Sequence, residues 1–473
     1  MITISFEQRG STGLCEWIYT SIRKQIIEGK LKADEKLPSK RALSENLGVS
    51  VITVQNAYSQ LISEGYIYSI EKKGFFVTKL QPFGNSAGQN AKKKLIPKTP
   101  SASDEEWFED LKNNSTNYEK FPFSLWAHTM RQVLNSGNKK LLQQSEVKGI
   151  YELRLALSNY LNQFRNMNVS PEQIIIGAGT ESILGMIVQL LGRENVFAVE
   201  NPGYHKAASI FELNGAKTEP LLIDRFGMNP AELEKSGANI IHISPNHHFP
   251  TGIVMPVKRR QELLSWAKKN ENRYILEDDY DSEFRFNGKP LPTLQSFDSA
   301  GKVIYINSFS KTLAPSFRIS FMVLPEKLLP HFESKLIFYT CPVSSFEQYT
   351  LARFIDEGFY EKHLIKMKNF YRNLRNNFIG AIENSSLSKI CSIHEEEAGL
   401  HFLLSFKSDF SSEEIQNRLK NKGINLALLK DFYYRQKNFP DEKTFIVNYS
   451  GIKKENIPEI VRRIEKCLNF ELI

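Results

Sequence analysis

The chain has 473 residues, 41% hydrophobic and 24% charged, a globular composition long enough for more than one core, which excludes a disordered or fibrous protein. A formal charge of +8 over this length permits a polyanionic partner without requiring one. Four scattered cysteines, Cys15, Cys341, Cys391 and Cys467, form no C-x-x-C pair, so neither a disulfide framework nor a zinc site is indicated, and no apolar run approaches the roughly eighteen residues of a membrane span. With no apolar core of the signal-peptide kind near the N-terminus, the expectation is a soluble cytoplasmic protein.

In chain order, Leu14, Trp17, Ile18, Ile22, Ile26 and Ile27 make a helical apolar stripe ended by Gly29. The stretch from Leu37 to Ser50 then reads as a capping serine, Ser39, a short amphipathic helix, a glycine turn at Gly48 and a second capping serine, Ser50. A third helix is predicted from about Val51 to Glu64. In it Val54, Tyr58 and Leu61 face inward, and Thr53, Gln55, Asn56 and Gln60 lie mostly outside. Two helices joined by a tight glycine turn form a helix-turn-helix, whose second helix suits the major groove. Beyond it, Gly65 to Ile70 and Gly74 to Val77 flank Glu71-Lys72-Lys73, which predicts a hairpin with a basic tip.

Several separated motifs of this region occur in the order of one family: Leu37-Pro38-Ser39 with Arg41, Leu47-Gly48-Val49-Ser50, Ala57-Tyr58 with Leu61, Glu64-Gly65, and the closing Gly74 to Val77 strand. Residues 10 to 78 thus resemble the GntR-type winged helix. One departure is Val51, where the family carries an arginine. The resemblance implies binding to double-stranded DNA, with Ser39, Lys40 and Arg41 at the backbone, Ser50, Thr53, Gln55 and Asn56 on the groove side, and Lys72, Lys73 and Gly74 at a neighbouring groove.

From about Leu80 to Asn114 hydrophobic periodicity disappears, and the lysine triplet Lys92-Lys93-Lys94 is either a solvated charge run or an accessory contact to DNA phosphates. The domains are accordingly read as residues 1–79, a flexible linker 80–114, and 115–473. In the last, helical patterns such as Tyr151 to Phe164 and Glu181 to Leu191 alternate with apolar runs at 174–176, 196–199, 240–243, 274–276 and 303–306. That is an α/β layout around a mostly parallel sheet, with a smaller C-terminal subdomain expected from about Glu333.

Open parallel sheets place ligands at the carboxyl ends of their strands, so the residues after each run are read as a set. Gly177-Ala178-Gly179-Thr180 opens a helix and offers backbone N–H groups to a phosphate. Tyr204 is either a stacking ring or a turn-capping core tyrosine. His247-His248 invites a metal, but neighbours on an extended chain point apart and no further ligand stands at the required spacing. The acids Glu277, Asp278, Asp279, Asp281 and Glu283 would repel one another unless a cation such as a protonated pyridine nitrogen sits among them, or else they form a metal-binding or solvated turn. Lys311, after the 303–306 run, is either a surface lysine or a Schiff-base amine with Ser308, Ser310 and Arg318 at hand for a phosphate.

Taken together, residues 118 to 473 resemble fold-type I pyridoxal-phosphate enzymes of the aspartate aminotransferase kind. With the winged helix in front, the chain resembles the MocR/GabR group of GntR-family regulators, GabR-type members in particular. The resemblance makes pyridoxal 5'-phosphate the cofactor and Lys311 its internal aldimine. It makes Asp278 the partner of the pyridine nitrogen, with Asp279 second choice, Tyr280 the donor to the phenolic oxygen and Tyr204 the stacking ring. Arg318, Ser308, Ser310, Gly179 and Thr180 become the phosphate holders.

Two departures from the enzyme pattern, Phe249 where Asn precedes Pro-Thr-Gly and no arginine between Arg435 and Arg462, favour a sensor of a small amino compound acting by external aldimine formation. The alternatives are an active aminotransferase with a DNA-binding appendage, or a regulator sensing pyridoxal phosphate itself. At the positions where GabR-like proteins hold an effector carboxylate this chain has Lys206 and Lys430, which weakens the case for γ-aminobutyrate. Sites of this fold are completed by two subunits, so the resemblance also implies a homodimer.

Overall fold

The computed structural model describes residues 4–6, 9–80, 107–112, 116–286, 291–397, 399–435 and 442–468. It separates into two units, Met1–Asp104 and Glu105–Ile473. Most of the expected linker, positions 81–106 and 113–115 with the lysine triplet, lies outside the described residues.

The first unit consists of α1 (Leu14–Ile27), α2 (Lys40–Leu47), α3 (Val51–Ser63), β1 (Ile67–Ile70) and β2 (Gly74–Val77). Both capping serines act as such: Ser39 Oγ accepts the Ala42 amide at 3.2 Å and Ser50 Oγ the Thr53 amide at 3.1 Å. Gly48 ends α2 at φ +64°, a left-handed conformation that only glycine adopts cheaply, and so turns the chain straight into α3. Ile18, Ile22, Leu43, Val54, Ala57, Tyr58, Leu61, Ile67 and Val77 close the core. The β1–β2 hairpin pairs Ile67 with Val77 and Ile70 with Gly74, leaving Glu71, Lys72 and Lys73 as its exposed tip.

The second unit begins with β3 (Glu109–Asp110), α4 (Phe123–Asn135) and α5 (Tyr151–Arg165). Then follow β4 (Ile174–Gly177), α6 (Thr180–Leu191), β5 (Val196–Asn201), α7 (His205–Leu213), β6 (Lys217–Asp224), β7 (Gly227–Met228), α8 (Pro230–Lys235), β8 (Ile240–Ile243), α9 (Val257–Lys268), β9 (Tyr274–Asp278), β10 (Val303–Ser308) and β11 (Ser320–Val323). These strands form one eight-stranded sheet in the order β4-β11-β10-β9-β8-β5-β6-β7. Neighbours from β10 through β6 pair in parallel, while β11 and β7 run against their neighbours. The five apolar runs of the sequence are β4, β5, β8, β9 and β10, buried on both faces as a sheet covered by helices requires.

The chain ends in α10 (Leu329–Leu336), α11 (Ser345–Asp356), α12 (Phe359–Glu383), β12 (Cys391–His394), β13 (His401–Phe406), α13 (Ser412–Lys420), β14 (Ile424–Asn425), β15 (Ala427–Leu428), β16 (Thr444–Asn448) and α14 (Ile457–Leu468). A second, antiparallel sheet has the order β12-β13-β16-β15. Two sequence boundaries shift. Phe332, Leu336 and Tyr360 still pack on the large sheet, and the second core takes over at Met367, inside α12, instead of near Glu333. Residues 107–112, assigned to the linker, belong to the second unit: β3 pairs in parallel with β14, and Leu111 is fully buried in the second core.

Candidate functional site

The parallel order β10-β9-β8-β5 sets Lys311, the acids after β9, the histidines after β8 and Tyr204 after β5 at the same edge of the sheet. At the phosphate end, Gly179 precedes α6 at φ +87°, and a Cβ there would lie 2.3 Å from Arg318 Nη2. The absence of a side chain thus lets the guanidinium reach the amino end of α6, a backbone suited to an anion. Arg318 itself stands at φ +50° and is ion-paired to Glu181. Burial opposes ionisation of Glu181, yet the Arg318 bond and, more weakly, the charge of Lys206 hold its pKa below the usual range. Ser308 ends β10 opposite Ser320, and the Ser310 carbonyl accepts from Thr116 Oγ1 at 3.5 Å.

Among the acids the structure separates Asp278 from Asp279. Asp279 is consumed by the scaffold: Asn246 Nδ2 donates to it at 2.8 Å, the Tyr305 hydroxyl at 2.7 Å, and the buried Arg165 guanidinium pairs with it. Asp278 has His242 Nε2 within 3.3 Å. Burial, then the charges of Asp278 and Glu181, push the Tyr204 hydroxyl up to about 12. Tyr204 as a residue is 36% exposed.

Tyr280 approaches His247 Nδ1 at 3.0 Å, and the same nitrogen meets Asp281 Oδ2 at 2.9 Å. A carboxylate only accepts, so the Nδ1 proton stays on His247 and the Tyr280 hydroxyl keeps its hydrogen for another acceptor. Gly399 makes room for this arrangement, because a Cβ on it would fall 1.8 Å from His247 Cε1. His401 packs against His247, the ring centroids 4.6 Å apart and the planes tilted by 42°. The Lys311 amine lies in the same neighbourhood. Burial pulls it down to about 7, an effect that the charge of Asp281 offsets only in part. A lysine held there is largely neutral just above pH 7 and therefore nucleophilic.

His248 turns to other partners, Thr251 Oγ1 at 2.7 Å and Glu200 Oε2 at 3.5 Å. Burial moves Glu200 up to about 8 and His248 down to about 3, so this pair is uncharged at neutral pH. Lys206 is exposed on the first turn of α7, whereas Lys430 is bound to Glu413 on the first turn of α13. Asp281 was read from the sequence only as one of a cluster of acids, and His242, Asn246, Arg165, Tyr305 and His401 were not among the site residues read from it. One signal was available, since a histidine inside the buried run Ile240-Ile241-His242-Ile243 demands a polar neighbour.

In the first unit, Arg41, Gln55, Asn56, Lys72 and Lys73 are exposed. The Lys40 ammonium lies 5.5 Å over the Phe75 ring, which ties it to the hairpin. Thr53 is half-buried, its hydroxyl 2.8 Å from Ser50 Oγ in an exposed contact within the α3 cap. Ser39 and Ser50 are likewise occupied as caps, and Gly74 carries φ +111° at the hairpin's return.

Residues 14–77 match the family described as bacterial regulatory proteins, gntR family, and residues 110–464 match aminotransferase class I and II. The chain is 34% identical to the uncharacterized HTH-type transcriptional regulator YhdI of Bacillus subtilis, with 96% of each chain covered. It is 31% identical to the probable rhizopine catabolism regulatory protein MocR of Rhizobium meliloti, covering 95% of this chain and 92% of the relative. Among solved structures, a multiple substrate aminotransferase of Thermococcus profundus superposes with a TM-score of 0.67 at 26% identity, over 76% of this chain and 90% of the other. The strand-end lysine, the glycine–arginine turn and the carboxylate of Asp278 fit pyridoxal phosphate, the cofactor of that fold. The chain therefore belongs to the aminotransferase class I and II family and, through its gntR-family winged helix, to the MocR/GabR group of pyridoxal-phosphate-dependent transcriptional regulators.

Proposed function

We propose that Lys311 holds pyridoxal phosphate and yields it reversibly to the amine of a small amino compound, and that this exchange alters how the winged helix engages its operator. When bound, the cofactor supplies an aldehyde that amines capture and a ring that withdraws electrons. Asp278, with His242 Nε2 3.3 Å away, would hold a proton on the ring nitrogen; Tyr280, kept as a donor by His247 and Asp281, would serve the phenolic oxygen, and Tyr204 would supply the stacking ring. Arg318 and the Gly179–Thr180 turn would bind the phosphate, with Ser308 at the end of β10 and Ser310 just after it as further candidates. The observation that carries this reading is the parallel strand order, which brings Lys311 after β10 to the same end of the sheet as Asp278, Tyr280 and Tyr204.

Sensing is favoured over turnover by the late strand β16, which has no arginine to clamp an α-carboxylate. Its Asn448 amide is engaged with the backbone carbonyls of Leu111 and Lys112 at 3.2 and 3.0 Å. Lys206 can offer a point charge to an effector anion, and Lys430 only if Glu413 releases it. Two subunits are part of the reading: Ile337, Phe338 and Tyr339 are 65%, 74% and 43% exposed in succession, an apolar surface suited to a second copy. DNA as a partner sets the protein in the cytoplasm. The test is the absorption spectrum of the purified full chain with amines added. The cofactor band should shift with an effector and be missing in Lys311→Ala, and sustained keto-acid release would instead establish an enzyme.

A further inference from the structure

The second helix of the helix-turn-helix carries no charged side chain, which is unusual for an element directed at a polyanion. Its buried face is Val54, Ala57, Tyr58 and Leu61. At helical spacing, Ile52, Asn56, Ser59 and Ser63 fall on the opposite side, and Ile52 is the most exposed apolar side chain among the described residues of the unit, 72% accessible, with Val51 beside it at 41%. A single exposed isoleucine is ordinary on most surfaces. This one stands in the first capped turn of α3, one helical turn before Asn56.

We infer that Ile52, supported by Val51, reads thymine 5-methyl groups in the major groove, next to an adenine read by Asn56. The occupant follows from the surface itself. A groove-facing patch without charge draws no energy from phosphates, and the apolar feature that B-DNA presents in the major groove is the thymine methyl. An amide one turn away has the donor–acceptor pair that matches adenine N6 and N7, so the combination selects an A·T step over a G·C one. Arg41 and the hairpin lysines Lys72 and Lys73, all exposed, are left to supply the sequence-independent attraction.

This inference rests on the reading that α3 enters the major groove. The experiment enriches duplexes from a random pool with the full-length protein, then replaces each selected thymine by deoxyuridine, which removes the methyl and keeps base pairing. At one or two positions per half-site the replacement should weaken binding about fourfold, the equivalent of one buried methyl group. In Ile52→Ser that penalty should vanish, while Ile52→Leu should retain it. Because Ile52 lies on the surface, neither variant disturbs the core. Specific binding that is indifferent to every deoxyuridine, or equally sensitive in Ile52→Ser, overturns the inference alone. A pool from which no sequence is enriched overturns the groove reading as well.

Discussion

A lysine amine in water stays protonated until about pH 10, so a lysine meant to attack a carbonyl at neutral pH has to lose its stabilising solvent. Lys311 meets that condition by burial, with Asp281 as the opposing charge. Its protonated form dominates below about 7 and its neutral form above. Capture of added pyridoxal phosphate by the apo-protein should therefore rise steeply between pH 6 and 8 and level off, followed as the growth of the cofactor band; a rate that keeps climbing to about pH 10 would contradict the burial argument. The two neighbouring aspartates make opposite predictions. Asp279→Asn strips the buried Arg165 of its counter-charge and should destabilise the second unit by about 3–5 kcal/mol in denaturant unfolding. Asp278→Asn should leave unfolding nearly unchanged and alter the cofactor spectrum. The sequence narrowed the ring-nitrogen partner to these two and no further, because a strand's end is not legible to one residue; what separates them is Arg165, 114 positions away. The same limit hid His247, which was visible as half of a histidine pair but not as the neighbour of Tyr280 and Asp281.

At the scale of elements, whatever local chemistry dictates could be read directly. The serine caps and the left-handed Gly48 fixed α2 and α3, and the unbroken apolar runs fixed five strands of the large sheet. What local chemistry does not dictate was lost. Residues 107–112 sit between polar stretches and carry no periodicity, yet β3 joins β14, 315 positions further along the chain, and Leu111 fills the second core. Leu111→Ala should cost about 2–5 kcal/mol of stability, measured by chemical denaturation, as a buried leucine does and a linker leucine does not. The loop before α6 is an element of the opposite kind, short and fully determined by contact. Gly179→Ala would place a Cβ 2.3 Å from Arg318 Nη2 in a backbone conformation that disfavours side chains. Losing that charge-assisted contact to phosphate is worth about 1.5–3 kcal/mol, so retention of pyridoxal phosphate should weaken roughly ten- to a hundredfold in equilibrium dialysis.

At the scale of the whole molecule, a fold that elsewhere belongs to aminotransferases is joined to a winged helix, and the question is what the joined parts do for one another. If the exposed Ile337, Phe338 and Tyr339 meet a second copy, Phe338→Glu should convert a dimer to a monomer in light scattering and weaken operator binding through loss of the paired half-site. The most direct test of the regulator reading measures operator affinity and footprint of the full-length, pyridoxal-phosphate-loaded protein against a panel of small amines, with the cofactor band recorded in the same samples. At least one amine that shifts the band should also change affinity or footprint, and Lys311→Ala should respond to none. Amines that exchange at the cofactor while DNA binding stays the same, in both extent and position, would contradict it.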